Sequence, residues 1–380
     1  MTDTQERQKL PGAHGVEAYL LGNPALCDAL GIARPASLDV RTLARGEYNL
    51  NFVFAHPQTA RKLLLRVNLG SQMRLADQIG YEARALKLLE LSGRTPRVFY
   101  VDSSKGFFGM GVLVEEFLPG RPLDYTRDLP DAAAILADIH SVAVPPDHGL
   151  VAPSNPQQSI VEECAAMFAR YRAWEGADPA VCKRVDGWFE KARSWALESS
   201  GIGGEQACPR AETPPDAETL PDAETLRDAA APHPAAARMR HIVNTEVNSG
   251  NFLINEGGMS FLIDWEKPLV AEAEQDLAHF LVPTTTFWKT DTVLDEAAVR
   301  GFIALYRSAI AGRFDTALLD ERLPSYLAAS CLRGITWCAM ALAQHMEKER
   351  EVADAYTLGK VKAYLEEGFL SMIERRYFKG

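Results

Sequence analysis

Strand-like runs crowd into residues 40–117 and all but cease after Gly120. A chain that alternates strands with helices builds a parallel βαβ sheet, whereas strands first and helices later give α+β or separate domains. Phe52-Val53-Phe54 leads into His56-Pro57-Gln58-Thr59, a turn, and Lys62 to Val67 follows as a second run. Arg97 to Val101 and Met110 to Phe117 form another pair around Lys105-Gly106, and Pro119-Gly120 stops it. Between the pairs, Ile79, Ala83, Leu86 and Leu89 keep the spacing of one buried helix face, which predicts a helix from Leu75 to Leu91, ended by Ser92-Gly93. Beyond Gly120 the pattern predicts helices over Asp131 to His140, Ser159 to Trp174 and Pro179 to Glu198. The last is opened by Asp178 as N-cap with proline at its first position. Three or four more lie between Asp295 and Arg376.

The fold class is therefore α+β, with a small β-rich lobe over residues 41–117 and a large, mainly helical lobe over residues 118–380. Residues 1–40 read as a loosely packed N-terminal extension. A length of 380 residues suits two domains. Residues 199–237 belong to neither lobe: they are rich in Ala, Pro, Asp and Glu and repeat Pro-Asp-Ala-Glu-Thr-Leu from Pro215 and again from Pro221. They carry a net charge of −5 and almost no large apolar side chain, so they cannot offset their own ordering entropy and read as a disordered acidic insertion.

Charge and cysteine usage exclude several functions. The net charge is −11 and no Lys/Arg block breaks it, so a nucleic-acid partner is not expected. The N-terminus is polar, and no uninterrupted apolar run approaches the roughly 18 residues of a spanning helix, so no membrane partner is expected. Six cysteines without a CxxC pair predict neither a zinc site nor a disulfide framework. They fit free thiols in a reducing, cytoplasmic setting. Cys331 and Cys338, two helical turns apart, are expected to share one core.

The chemistry concentrates between Asn244 and Glu266. Phe252-Leu253-Ile254 and Phe261-Leu262-Ile263 flank Asn255-Glu256-Gly257-Gly258, a strong hairpin signal. In an antiparallel hairpin the start of one strand lies beside the end of the other, so Asn251 and Asp264 meet at its open end. Glu246 sits five residues upstream on the entering loop. Any one of these residues alone is more often a turn cap. Together, two carboxylates and an amide oxygen make a hard-oxygen set suited to Mg²⁺, which takes one or two protein ligands and completes its shell with phosphates and water.

At this point the chain resembles the aminoglycoside phosphotransferase and choline kinase-like small-molecule kinases, a family with a bilobal protein-kinase-like fold. Their catalytic loop, His-x-Asp-x-x-x-x-Asn, is followed by a strand pair and Ile-Asp-Trp/Phe-Glu. The resemblance covers residues 41–376 without the insertion. It implies that Asn251 is the loop asparagine and Asp264 the metal-binding aspartate, the two holding Mg²⁺, and that Asp276 in Gln275-Asp276-Leu277-Ala278 is structural. The catalytic position is Glu246 rather than aspartate, and Asn244 stands where the family has histidine. Glutamate can accept a proton from a hydroxyl, as aspartate can, but reaches one methylene further.

The resemblance also implies a phosphate loop in Gly46-Glu-Tyr48-Asn49-Leu-Asn-Phe52, whose backbone and polar side chains would cover the phosphates of ATP or GTP. Arg66 takes the position of a phosphate-binding lysine. Glu82 lies on the apolar stripe of its helix, where an unpaired carboxylate is costly, and pairing with Arg66 would resolve that. In Val114 to Gly120, backbone at Glu116 and Leu118 would meet the adenine. His140, His241 and His279 read as structural, and Trp265, Trp288 and Trp337 as packing.

Only eleven residues separate Asp264 from Asp276, and there is no Ala-Pro-Glu sequence, so a protein-substrate platform has little room. The expected acceptor is a hydroxyl of a small molecule. Acidic late helices (Glu347, Glu366 and Glu367 among them) would bias its pocket toward a cation. The expected activity is transfer of the ATP γ-phosphoryl group to that hydroxyl. The contrasting reading is a non-catalytic nucleotide-binding or regulatory pseudokinase, marked by Glu246. A third is an adenylyl-transferring relative.

Overall fold

The computed structural model describes residues 10–33, 37–46, 48–199, 239–348 and 355–379. The chain divides into two compact units. Unit 1 is Met1–Pro119 with Asp147–Gly149 and Trp265–Lys267, and unit 2 is Gly120–Pro146, Leu150–Asp264 and Pro268–Gly380.

Unit 1 begins with two helices, α1 (Ala13–Gly22) and α2 (Pro24–Leu30). Asn23 separates them; its side chain accepts the Leu26 N–H at 3.1 Å while Pro24 supplies a pre-set first helical position. The strands are β1 (Arg41–Arg45), β2 (Asn49–Ala55) and β3 (Lys62–Asn68), then β4 (Val98–Asp102) and β5 (Val112–Glu116) after helix α3 (Gln78–Leu89). They form one antiparallel sheet in the order β1-β2-β3-β5-β4. Strand alternation divides its residues between two faces. Phe52, Phe54, Leu63, Leu65, Val67, Val112 and Val114 pack with Val16, Tyr19, Leu20 and Leu26 of the two leading helices. The first 40 residues are thus not a loose extension from Ala13 onward: α1 and α2 cover one face of the sheet. Their apolar side chains are buried there, and Tyr19 Oη donates to Asp102 Oδ2 at 2.8 Å. The opposite face carries Asn51, Arg66 and Glu115 toward α3. Asp77 caps that helix by accepting the Gly80 N–H at 3.0 Å.

Unit 2 opens with α4 (Leu129–His140), α5 (Pro156–Ala173) and α6 (Pro179–Ser199). Asp178 accepts the Ala180 N–H at 2.7 Å, as its N-cap position predicts. Apart from Ser199, the expected acidic insertion 199–237 lies outside the described residues. Then come β6 (His241–Val243), β7 (Phe252–Leu253), β8 (Phe261–Leu262) and β9 (Leu269–Ala271). β7 and β8 are the expected hairpin, paired antiparallel through Phe252–Leu262 and Leu253–Phe261. A second antiparallel pair, β6 with β9, was not legible: at three residues each, its strands carry no alternation to read.

The remaining helices are α7 (Glu274–Leu281), α8 (Pro283–Lys289), α9 (Glu296–Ile310), α10 (Leu319–Met346), α11 (Ala355–Ala363) and α12 (Glu367–Tyr377). α10 is long and apolar enough to cross a membrane by length and composition, yet 67% of its apolar stretch is buried inside the protein, as in a core helix. Cys331 and Cys338 are both buried on it. Gly334 follows the approach of α8: a Cβ there would stand 2.5 Å from that of Thr284.

Candidate active site

Unit 1 carries a charged cluster inside its sheet–helix layer. Arg66 stands in mid-β3, opposite Asn51 on β2 and Leu113 on β5. Its Nη1 donates to Glu82 Oε1 on α3, and its Nε donates to Asn51 Oδ1 at 3.2 Å. Glu115 Oε1 lies 4.0 Å from Nη2. Arg66 is 6% exposed and Glu82 1%, so the ion pair expected from the carboxylate on an apolar stripe is present and buried. Removing either partner of such a pair costs about 3–5 kcal/mol.

The turn expected to cover phosphates is held from within. The Gly46 N–H donates to the Asn49 carbonyl at 2.9 Å, and the Tyr48 carbonyl accepts the Leu69 N–H at 2.7 Å. Asn49 is buried, and its amide is already engaged: Nδ2 donates to Glu266 Oε2 at 2.6 Å while Oδ1 accepts from Asn68 Nδ2 at 3.1 Å. Gln78 Nε2 donates to the Glu266 carbonyl at 2.6 Å. Asn49 is therefore a latch that shapes the turn rather than a side chain reaching outward. Sequence reasoning missed its partner Glu266. At the end of β5 the Glu116 N–H donates to the Arg97 carbonyl at 2.9 Å, and Glu116 Oε1 accepts from Arg61 Nη2 at 2.6 Å. Leu118 follows, half-buried.

In unit 2 the loop between β6 and β7 is fixed at nearly every residue. Asp276, fully buried on α7, accepts the Asn244 N–H with Oδ2 and the Thr245 N–H with Oδ1, each at 2.7 Å. Asn244 bridges two functional candidates: its Oδ1 accepts the Glu246 N–H at 3.1 Å and its Nδ2 donates to the Asp264 carbonyl at 2.9 Å. The Glu246 carbonyl accepts from Asn248 Nδ2 at 2.9 Å and from Asn251 Nδ2 at 3.0 Å. The Asn251 carbonyl in turn accepts the Ile263 N–H at 2.9 Å, which sets Asn251 beside the start of Asp264. The structure thus brings Glu246, Asn251 and Asp264 together at the open end of the hairpin.

Two backbone conformations mark this loop. Thr245 has φ +70° and Asp264 φ +66°. Asp tolerates the left-handed region, whereas for β-branched Thr it is a strained outlier that surrounding contacts must impose. Here they do: Asp276 holds the Thr245 N–H, and Arg333 Nη1 on α10 donates to its carbonyl at 3.2 Å. Arg333 also forks onto Glu163 of α5, at 3.0 Å from Nε and 3.3 Å from Nη2, and its Nη2 is 3.8 Å from Glu246 Oε1. Burial works against the arginine's charge, but Glu163 and then Glu246 outweigh it and hold its pKa above the ordinary range. Arg333 was not singled out from the sequence. A charge within the apolar run Cys331-Leu332-Arg333-Gly334-Ile335 was the available signal.

Beneath the loop, His140 lies between Tyr306 Oη at 2.7 Å and Asp276 Oδ2 at 3.3 Å, and His241 Nδ1 meets the His140 carbonyl at 2.5 Å. Burial and the neighbouring His140 lower the His241 pKa to about 4. Trp265 is fully buried, and Trp288 meets Trp337 edge to face at 5.2 Å. Glu347 and Glu367 are ion-paired with Arg170 and Arg184.

The family model described as "Phosphotransferase enzyme family" matches residues 39–313. No curated protein sequence matches the chain. Among solved structures, the chain is similar to a candidate aminoglycoside phosphotransferase from Ralstonia eutropha, at 15% identity over 97% of each chain with a TM-score of 0.60. It is also similar to spectinomycin phosphotransferase APH(9)-Ia, solved with ADP and spectinomycin, at 11% identity over 97% of this chain and 99% of that one, TM-score 0.57. A third is an ethanolamine kinase from Plasmodium vivax, at 14% identity over 88% of this chain and 84% of that one, TM-score 0.52. At such identities the likeness is one of fold.

Proposed function

The chain belongs to the phosphotransferase enzyme family, and from that premise we propose that it moves the γ-phosphoryl group of ATP, or of GTP, to a hydroxyl of a small molecule. The observation that carries this reading is the convergence of Glu246, Asn251 and Asp264 on a loop that Asp276 and Asn244 clamp through their hydrogen bonds. A merely structural hairpin needs neither the strained Thr245 nor that set of acceptors.

Glu246 would accept or orient the proton of the acceptor hydroxyl. Asn251 and Asp264 fit Mg²⁺ by donor chemistry: a carboxylate and an amide whose Nδ2 is already spent on the Glu246 carbonyl, which leaves oxygen as the liganding atom. When bound, Mg²⁺ neutralises charge on the phosphates. Arg66, steadied by Glu82, would supply positive charge to the nucleotide, and the turn at Gly46, Tyr48 and Asn49 would shape its phosphate side. Glu116 and Leu118 would meet the adenine through backbone groups other than the Glu116 N–H, which serves Arg97. A small acceptor is favoured because only eleven residues separate Asp264 from Asp276, and β9 and the start of α7 take five of them. Two solved relatives by fold bear the names of small-molecule kinases, one for spectinomycin and one for ethanolamine.

Glu246 in place of aspartate favours a second reading, a nucleotide-binding pseudokinase. Asn244 speaks against it, since it ties the Glu246 backbone to Asp264 and keeps the arrangement in place. Transfer of γ-labelled phosphate from Mg–ATP into a fractionated metabolite extract separates the two. Label in a discrete compound, lost in Glu246→Ala and Asp264→Ala, supports the kinase. Binding of Mg–ATP without any transfer supports the pseudokinase.

A further inference from the structure

Glutamate carries one torsion more than aspartate, and a carboxylate misplaced by about 1 Å can cost about 10²-fold in rate. The backbone of Glu246 is fixed by Asn244, Asn248 and Asn251, but none of those contacts orients its side chain. Arg333, on α10, brings a cation to that carboxylate from another element. Arg333 Nη2 lies 3.8 Å from Glu246 Oε1, beyond hydrogen-bond range and within reach of a direct charge interaction.

We propose that Arg333 is a positioning residue for Glu246: locked by Glu163 on one side and by the Thr245 carbonyl on the other, its guanidinium determines where the longer carboxylate stands. This rests on the phosphotransferase reading for its catalytic consequence, though not for the contact itself.

Three features carry it. The guanidinium is itself immobile: Glu163 takes Nε and Nη2 as a fork, at 3.0 and 3.3 Å, and the Arg333 side chain is only 16% exposed. Arginine suits this use better than lysine, because a planar fork can engage one carboxylate and still present an edge to another. The same side chain grips the backbone next door, Nη1 donating at 3.2 Å to the carbonyl of Thr245, whose φ of +70° persists only if both its polar groups are held. Arg333 thus fixes Glu246 twice, by the conformation that precedes it and by the charge beside it. An arginine present only to neutralise Glu163 would need neither contact. At 3.8 Å the pairing directs the carboxylate without occupying it in a short bond.

The test uses the full-length protein with Mg–ATP and water as acceptor, read as ADP release. Arg333→Met should lower kcat by about ten- to a hundredfold while KM for ATP moves less than about twofold. Arg333→Lys should restore part of that loss, and Glu163→Gln should lower kcat several-fold by loosening the fork. The same Arg333→Met change made in Glu246→Ala should add less than about twofold, because its effect passes through the missing carboxylate. Equal losses in both backgrounds, or a loss carried by KM, would overturn the proposal. Glu163→Gln keeps the test open should Arg333→Met fail to fold. If the wild type releases no ADP to water, the phosphotransferase reading is decided separately by transfer into the metabolite extract, and the pair is read from thermal unfolding. A drop in melting temperature on Arg333→Met that shrinks in the Glu246→Ala background sustains the contact; an equal drop in both overturns it.

Discussion

Asp276→Asn removes the residue on which the loop carrying Glu246 hangs. Its carboxylate is fully buried and accepts the N–H groups of Asn244 and Thr245 at 2.7 Å each, with His140 Nε2 at 3.3 Å. Asparagine keeps one oxygen, so one of the two N–H groups loses its acceptor and faces an amide NH₂ instead. A hydrogen bond to a charged group is worth about 1.5–3 kcal/mol, and leaving a buried N–H unsatisfied costs about 1–3 kcal/mol more. Release of the strained Thr245 returns part of this, on the order of 1 kcal/mol. The net loss is about 2–4 kcal/mol, which for a domain of this size lowers the melting temperature by about 5–15 °C. Differential scanning calorimetry of wild type and variant reads the shift directly. ADP release from Mg–ATP below the variant's transition should fall more than about tenfold, because Glu246 follows Thr245 in the chain. A melting temperature within about 2 °C of wild type would refute the claim that Asp276 anchors the loop.

The buried pair in unit 1 predicts a non-additive series. Glu82→Leu alone takes from Arg66 its closest carboxylate, leaving Asn51 and the more distant Glu115, and should cost about 3–5 kcal/mol in urea unfolding, whereas Glu82→Leu with Arg66→Met should cost less than either single change. Additive losses would contradict a direct pairing. His241 predicts an acid-sensitive term. Its folded pKa, about 4, lies below its ordinary value of 6.5, so the folded state binds fewer protons than the unfolded. The stabilising contribution is complete above pH 6.5 and is lost as pH falls toward 4, up to about 3 kcal/mol. Glu274 works in the opposite sense, its pKa raised first by burial, so the His241 effect is read as the difference between wild type and His241→Leu at pH 7.5 and 5 (assay conditions of about these values). A difference that does not change with pH would remove His241 as its source.

Features with a local or periodic cause were legible in the sequence. Phe252-Leu253 and Phe261-Leu262 around a glycine-bearing turn could only be a hairpin, and that alone set Asn251 beside Asp264. Glu82 betrayed its partner because a carboxylate on an apolar stripe demands a cation, and Arg66 supplies it. Features made by distant contacts were not legible. Helices α1 and α2 pack on the sheet, yet Gly22, Asn23 and Pro24 break the run and hide that Val16, Tyr19, Leu20 and Leu26 serve one face. Asn49 belongs to a turn that local sequence marks, but Glu266, 217 residues away in the chain, decides what its amide does. Arg333 breaks the same rule as Glu82, a charge amid apolar neighbours, and the rule applied to α10 would have led to Glu163 and Glu246.

The most direct test of the account is the steady-state rate of ADP release from Mg–ATP by Glu246→Gln beside wild type. The substitution keeps the length and shape of the side chain and removes only its charge and its capacity to take a proton. The account predicts a kcat lower by about 10²-fold with the affinity for ATP retained. An unchanged kcat would contradict the assignment of Glu246 as the group that handles the acceptor hydroxyl.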